Sequence, residues 1–235
     1  MRARTAGLGP RVFAGLRLVV RLGAVDRVAW AAAMGWAQTT GYVHAARLEN
    51  AGLVSRQITY SGSGSLVVAT AEGASAVGRE DLGAGRAAGA STWAHARAVS
   101  WVAAALELNG ARWISERELR LEESFWRLVL TTQDGAGSTR RNSHLPDLAV
   151  VSEDRRALAY EVELQSKRKA RVRGLLAAYK KRFETAADQL DGLVYVVDSP
   201  RVAKLVAAVA EELGIAGAVS ITPLDELMGQ AQRAA

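Results

Sequence analysis

The stretch HLPDLAVV at residues 144–151, followed by ALAYEVELQ at residues 157–165, decides how the second half of the chain folds. The two apolar runs, joined by a short polar turn, predict a pair of β-strands. Because side chains alternate between the two faces of a strand, Glu161 and Glu163 share one face. Asp147 opens the neighbouring strand and is expected to point at the same place. Carboxylates that converge in this way repel one another unless a cation neutralises them, so these three acids are the predicted metal ligands.

The cysteine and histidine content limits which metal such a site would take. The chain has no cysteine, so disulfides and thiolate zinc sites are excluded. Its three histidines, His44, His95 and His144, are scattered and do not favour a histidine zinc site. Oxygen ligands favour Mg²⁺ or Mn²⁺, and one of these ions is the expected cofactor.

A dense basic run follows the second strand and predicts a surface that tracks phosphate groups. Its members are Lys167, Arg168, Lys169, Arg171 and Arg173. Two other interpretations stay open. In the first, the run is the solvated face of a helix. In the second, the acids of the preceding strand pair with these cations at an exposed sheet edge.

Composition and charge narrow the class of protein. The chain has 235 residues, of which 49% are hydrophobic, so one or two globular domains are expected. A net charge of +6 and a pI near 10.0 favour a polyanionic partner, although a high-GC genome gives similar basic compositions. No uncharged apolar run approaches the roughly 20 residues that span a bilayer. We therefore expect a cytoplasmic protein with no membrane partner.

The first part of the chain has the element order of a winged helix-turn-helix, assigned to residues 8–77. Helical periodicity covers residues 11–22, and Asp26 is a suitable N-cap for a second helix. Thr39 or Thr40 is the predicted cap of a third helix that ends at Asn50. Two extended runs around a Gly/Ser tip then predict a hairpin, the wing.

The third helix is the expected reader of double-stranded DNA, because in such folds its N-terminal half enters the major groove. Helical spacing places Gly41, His44 and Ala45 on the inner face. The predicted outward positions are Gln38, Thr39, Thr40, Tyr42, Val43 and Arg47. Arg56 on the wing is predicted to reach a phosphate. A packing role for His44 and a protein-interaction role for the whole domain are the alternatives.

Residues 78–91 are rich in glycine and poor in apolar periodicity, so they are predicted to be a linker. Residues 92–228 then form the predicted second domain. Its expected elements are a helix at 92–109, strands at 113–121 and 125–131, a loop at 133–142, the strand pair quoted above, a helix at 166–187, a strand at 192–198, a helix at 200–213 and a strand at 218–221. This order predicts an α/β domain, α+β overall, with a mixed sheet flanked by helices.

The second domain resembles the PD-(D/E)XK nuclease-like superfamily, in which acids on a strand pair hold divalent ions. Pro146-Asp147 corresponds to the first half of that motif, and Glu161-x-Glu163 or Glu163-x-Gln165 to the second. The resemblance implies catalytic roles for Asp147, Glu161, Glu163 and Gln165. The position of the family's lysine holds Glu163 or Gln165, and Lys167 or Lys169 from the helix start is the expected substitute for its charge.

Taken together, the winged helix, the glycine-rich segment and the H-x-P-D … E-V-E … basic helix pattern resemble the replication-relaxation family of mobile elements in high-GC Gram-positive bacteria. The resemblance implies DNA processing in replication or mobilisation, and a homodimer is a further expectation. Three functions stay open: a metal-dependent DNA endonuclease, a non-catalytic DNA-binding regulator or relaxosome accessory factor, and a protein-interaction adaptor.

Overall fold

The computed structural model describes residues 8–58, 64–133, 139–154, 156–165, 167–185 and 190–234. The chain divides into two compact units, of which one comprises Met1–Ala111 with Leu227–Ala235 and the other Arg112–Glu226. No helix in these described ranges is long and apolar enough to cross a membrane. The class is mixed α/β, as predicted.

Helices and a small antiparallel sheet build the first unit. Its elements are α1 (Pro10–Leu22), β1 (Ala24–Asp26), α2 (Arg27–Ala33), α3 (Gln38–Asn50), β2 (Val54–Ile58), β3 (Ser65–Ala69), α4 (Ala71–Ala76) and α5 (Ala90–Leu108). The strand order is β1-β3-β2, and both pairings are antiparallel. The predicted hairpin is β2 and β3, and its tip at residues 59–63 lies outside the described residues. Strand β1 was not predicted, because three residues are too few to show a period.

Local sequence signals set most helix ends of this unit. Asp26 is the N-cap of α2, as predicted, and its carboxylate accepts the N–H groups of the second and third helical residues. Gly52, with φ +72°, ends α3 in the left-handed conformation, and the Leu53 N–H donates to Leu48 O at 2.9 Å. The predicted cap of α3 at Thr39 or Thr40 was wrong. The helix begins one residue after Ala37, whose side chain cannot cap it.

The predicted linker at residues 78–91 is packed within the first unit. The Gly85 N–H donates to Ala69 O at 2.9 Å. The Gln57 side chain bonds both backbone groups of Ala88, at 2.7 and 2.9 Å. Helix α5 then packs against α2 and β1. The division therefore falls after α5 and differs from the predicted boundary, because backbone hydrogen bonds hold a segment that lacks apolar periodicity.

A five-stranded mixed sheet is the centre of the second unit. The elements are β4 (Trp113–Ser115), α6 (Glu116–Leu119), α7 (Glu123–Trp126), β5 (Leu128–Gln133), β6 (Thr139–His144), β7 (Leu148–Val151), β8 (Ala157–Glu163), α8 (Lys169–Thr185), β9 (Leu190–Val197), α9 (Pro200–Glu212) and β10 (Val219–Pro223). The last helix, α10 (Leu224–Ala234), begins in this unit, and its residues from Leu227 onward belong to the first unit. The order is β10-β9-β8-β7-β4. Strands β8, β9 and β10 are parallel, whereas β7 runs antiparallel to both β4 and β8. Strands β5 and β6 form a separate antiparallel pair.

Three predictions for this unit were wrong in part. The strand expected through residue 121 ends at Ser115, where the side chains of Ser115 and Glu118 each accept the other's backbone N–H and start α6. The loop expected at residues 133–142 contains β6, although residues 134–138 lie outside the described residues. The strand expected at residues 125–131 begins at Leu128, after helix α7. Helix α10 was not predicted.

Apolar side chains from α8, α9 and the central strands form the core of the second unit. The fully buried members include Ala159, Leu176, Tyr179, Leu193, Tyr195 and Val206. Every residue of β9 except Asp191 is buried, as expected for a parallel strand covered on both faces. This core holds the carboxyl end of β8 in a region that excludes water.

Candidate functional site

Helix α3 of the first unit presents the surface that the sequence predicted. Gly41, Ala45 and Leu48 are buried along one side. On the opposite side, Tyr42 is 50% exposed and Val43 51% exposed. The predicted positions Gln38, Thr39 and Arg47 are exposed and Thr40 is half-buried.

The turn before α3 brings the two helices into close contact. Gly35 adopts φ +59° in that turn, a conformation that favours glycine. The buried Trp36 ring packs edge-on against Trp30 at 5.1 Å between centroids. A Cβ on Gly41 would lie 2.7 Å from the Ala31 Cβ, so only glycine fits where α3 crosses α2. These contacts hold the direction of α3.

His44 is a packing residue rather than part of the exposed face. Its ring lies 4.6 Å from the Trp36 ring, between centroids, and the residue is half-buried. Burial lowers the pKa of His44, and the charges of Arg47 and Arg11 lower it further. The imidazole is therefore neutral near pH 7.

Cationic side chains lie beside the exposed face of α3. The Arg27 guanidinium lies over the Tyr42 ring, with Cζ 3.2 Å from the centroid, and its Nε donates to Ser65 Oγ at 3.1 Å. Arg56, the predicted phosphate contact, forms an ion pair with Glu49. Such exposed pairs contribute little stability, so Arg56 can exchange this partner for another anion.

A buried carboxylate connects the start of α2 to α5. Asp26 accepts the N–H groups of Val28 and Ala29, each at 3.0 Å, and the Arg97 Nε at 3.0 Å. The Asp26 N–H donates to Ser100 Oγ at 2.9 Å. The sequence identified the cap but not its two partners on α5, because they lie more than 70 residues away in the chain.

In the second unit, the structure brings together the three predicted acids at the carboxyl end of β8. Glu161 and Glu163 are each 5% exposed. Asp147, just before β7, is half-buried, and its Oδ2 accepts the Val162 N–H at 2.7 Å. Its own N–H donates to Tyr160 O at 3.0 Å, which continues the pairing of β7 with β8.

Two side chains contact the same oxygen of Glu161. The Tyr179 hydroxyl donates to Glu161 Oε1 at 2.5 Å, and His144 Nε2 lies 2.7 Å from that atom. Burial raises the pKa of Glu161, and the Asp147 charge adds to this against the opposing effect of His144. Burial and the adjacent Glu161 raise the pKa of Tyr179 well above its usual value, so the phenol keeps its proton.

The His144 cation is favoured by its surroundings. Burial alone would lower the pKa of His144. The hydrogen bond and charge of Glu161, with the charge of Asp147, outweigh burial and raise that pKa. Sequence reasoning did not assign His144 or Tyr179 to this cluster. The sequence feature that could have indicated His144 as a member of the cluster is its position three residues before Asp147.

Glu163 has a different partner. Lys167 Nζ forms an ion pair with Glu163 Oε2. Gln165 is exposed, and its backbone N–H is 3.4 Å from Glu163 Oε1. Of the predicted catalytic residues after β8, Lys167 therefore joins the cluster through an ion pair, whereas the Gln165 side chain is at the surface.

The expected Mg²⁺ or Mn²⁺ site does not fit this arrangement. Within the described ranges, no group of three or more His, Asp or Glu side chains is placed to hold a metal ion. Each of the three acids has a protein partner instead. Asp147 accepts a backbone N–H, Glu161 accepts from a tyrosine and contacts a histidine, and Glu163 pairs with a lysine.

Some members of the basic run at residues 167–173 pair with acids of the same unit. Lys169 and Arg173 both pair with Glu212 on α9, and the Lys169 distance is 3.1 Å. Arg168 and Arg171 are exposed. The predicted phosphate-tracking surface is therefore partly engaged within its own unit.

Compared with known proteins, the sequence matches no family model, no curated protein and no solved structure. The resemblance to the replication-relaxation family accordingly stays a prediction.

Proposed function

We propose that this chain is a double-stranded DNA-binding protein whose first unit is a winged helix-turn-helix. The observation that carries the proposal is the exposed face of α3. A tight crossing at Gly41 fixes the helix, and the predicted contact residues occupy the side away from the core. The order α1-β1-α2-α3-β2-β3, with its three-stranded antiparallel sheet, supports the same assignment.

Charge supports nucleic acid as the partner. The chain carries a net charge of +6. Arg47 on α3 and Arg56 on β2 are exposed in the first unit, as are Arg168 and Arg171 in the second. Contacts of this kind position a protein on the phosphate backbone and release counterions.

For the second unit we propose a nuclease-like fold that serves DNA binding without cutting. The antiparallel strands β4, β7 and β8, next to the parallel strand β9, support the resemblance to the PD-(D/E)XK superfamily. The contacts of Glu161 and Glu163 with His144, Tyr179 and Lys167 support a structural role for the acids. A place in DNA processing of a mobile element, as a regulator or accessory factor, fits both units.

The test is fluorescence anisotropy of a labelled duplex titrated with the full chain at several salt concentrations. We expect affinity to fall linearly with salt on logarithmic axes, with a slope of about −0.9 for each phosphate neutralised. Arg47→Ala should reduce the size of that slope by about 0.9. Arg17→Ala is the matched control, since Arg17 is an exposed arginine on α1, outside the proposed interface. Equal slopes for both variants and the wild type, or no binding, would refute the proposal.

The same preparation distinguishes the catalytic alternative. Supercoiled plasmid incubated with the protein and Mg²⁺ or Mn²⁺ should remain uncut. Metal-dependent nicking that disappears in Asp147→Ala would instead establish an endonuclease and remove the structural role proposed for the acids.

A further inference from the structure

The outermost line of side chains on α3 carries no charge. Thr39, Val43, Ala46 and Asn50 follow one another at intervals of four, three and four residues, so they form a single ridge. Thr39 and Asn50 are exposed, Val43 is 51% exposed and Ala46 is half-buried. The outward face of a surface helix is normally charged or strongly polar. This ridge instead presents methyl groups to solvent.

We infer that Thr39, Val43 and Ala46, named here the methyl ridge, read the C5-methyl groups of thymines in the major groove. The inference rests on the proposed function and specifies the DNA that the same surface selects. Alanine and threonine methyls are common partners of the thymine methyl, and valine offers the same apolar surface. Covering the exposed valine at the centre of such a ridge with another apolar group is favourable, because apolar surface is removed from water.

The charges beside the ridge match the arrangement of phosphates along the edges of a major groove. Successive helical residues turn by about 100°, which places Tyr42 on one side of Val43 and Arg47 on the other. Arg27 stacks on Tyr42, so each side of the methyl ridge carries a guanidinium group. A major groove has a phosphate backbone along each edge and base edges at its floor. Two flanking cations with an uncharged centre complement that pattern.

The chemistry of the ridge also favours A·T over G·C pairs. Guanine is read mainly by arginine or lysine on its O6 and N7, and the ridge positions hold neither residue. The expected ligand is therefore a duplex with thymines spaced along one face of the major groove.

The experiment begins with the full chain and a library of short random duplexes, from which bound sequences are enriched. The best duplex is then resynthesised with deoxyuridine in place of thymidine, which removes only the C5-methyl group. Covering one methyl group contributes about fourfold in affinity. We expect a loss of about that size for each contacted thymine in the wild type, and a smaller loss in Val43→Ala.

Val129→Ala is the matched control, because Val129 on β5 is 57% exposed and lies in the other unit. It should show the same thymine dependence as the wild type. Tight binding to a selected duplex with no effect of uracil, or a uracil effect unchanged in Val43→Ala, would overturn the methyl ridge and leave DNA binding intact. Failure to enrich any duplex would remove the proposed function as well. If Val43→Glu changes the oligomeric state but not DNA affinity, the ridge is a protein interface and the inference is wrong.

Discussion

The crossing of α2 and α3 permits a quantitative prediction at Gly41. In Gly41→Ala the new methyl carbon would lie 2.7 Å from the Ala31 Cβ. Carbon atoms in good contact are about 3.5–4.0 Å apart, so the two groups would overlap by about 1 Å. An alanine methyl has no rotamer that avoids the contact, and the helix backbones must separate.

The expected loss of stability follows from two opposing effects. Overpacking of this kind costs about 1–3 kcal/mol, and the rigid contact places this site in the upper half of that range. Replacing glycine by alanine inside a helix stabilises the helix by about 1 kcal/mol, which offsets part of this cost. We therefore expect the free energy of unfolding to fall by about 1–2 kcal/mol, measured by urea denaturation followed through tryptophan fluorescence.

Gly229→Ala is the matched control, in the interior of α10. Its new Cβ would meet only the Arg233 Nη1, at 3.1 Å, which is the movable end of a long side chain. This variant should be more stable than the wild type by up to about 1 kcal/mol. In the double variant Ala31→Gly/Gly41→Ala, removal of the opposing methyl should restore about 2 kcal/mol relative to the sum of the single changes. A Gly41→Ala protein as stable as the wild type, or a coupling energy of zero, would refute the reasoning.

Two further predictions concern buried charged groups. The folded-state pKa of His144 is raised above its ordinary value of 6.5 by Glu161, so its contribution to stability is fully present below pH 6.5 and is lost as the pH rises through the raised pKa. Urea denaturation across this window should show the stability difference between wild type and His144→Gln shrinking with pH; a constant difference would contradict it. Asp26→Ala should lower the free energy of unfolding by about 2 kcal/mol, through loss of the N-cap and of the Arg97 partner. Asp26→Asn keeps a capping residue and should lose less stability than Asp26→Ala. Thermal unfolding of the two variants measures this difference, and equal shifts of their midpoints would contradict the prediction.

Elements with several residues of regular period were predictable, and those without were not. The helix from Pro10 and the strand pair at residues 148–163 follow from apolar spacing, and α3 was correct except at its first turn. Short elements such as β1 and α6 were missed or misassigned, because three or four residues are too few to show a repeating pattern. Segment 78–91 was predicted to be a linker because composition does not record backbone hydrogen bonds to distant strands.

The sequence by itself determined which side of α3 faces outward and that Glu161 and Glu163 share a face of one strand, since both depend only on helical and strand periods. Tertiary structure decided what those acids contact. Tyr179 lies 18 residues beyond Glu161 and His144 lies 17 before it. Helix α8 packs against the sheet and carries Tyr179, and His144 ends β6, so the fold brings both side chains to one carboxylate oxygen. No local pattern contains that information, because a buried acid pairs with whichever donors the fold places beside it. The same acids therefore suggest a metal site in the sequence and form a hydrogen-bonded cluster in the folded chain.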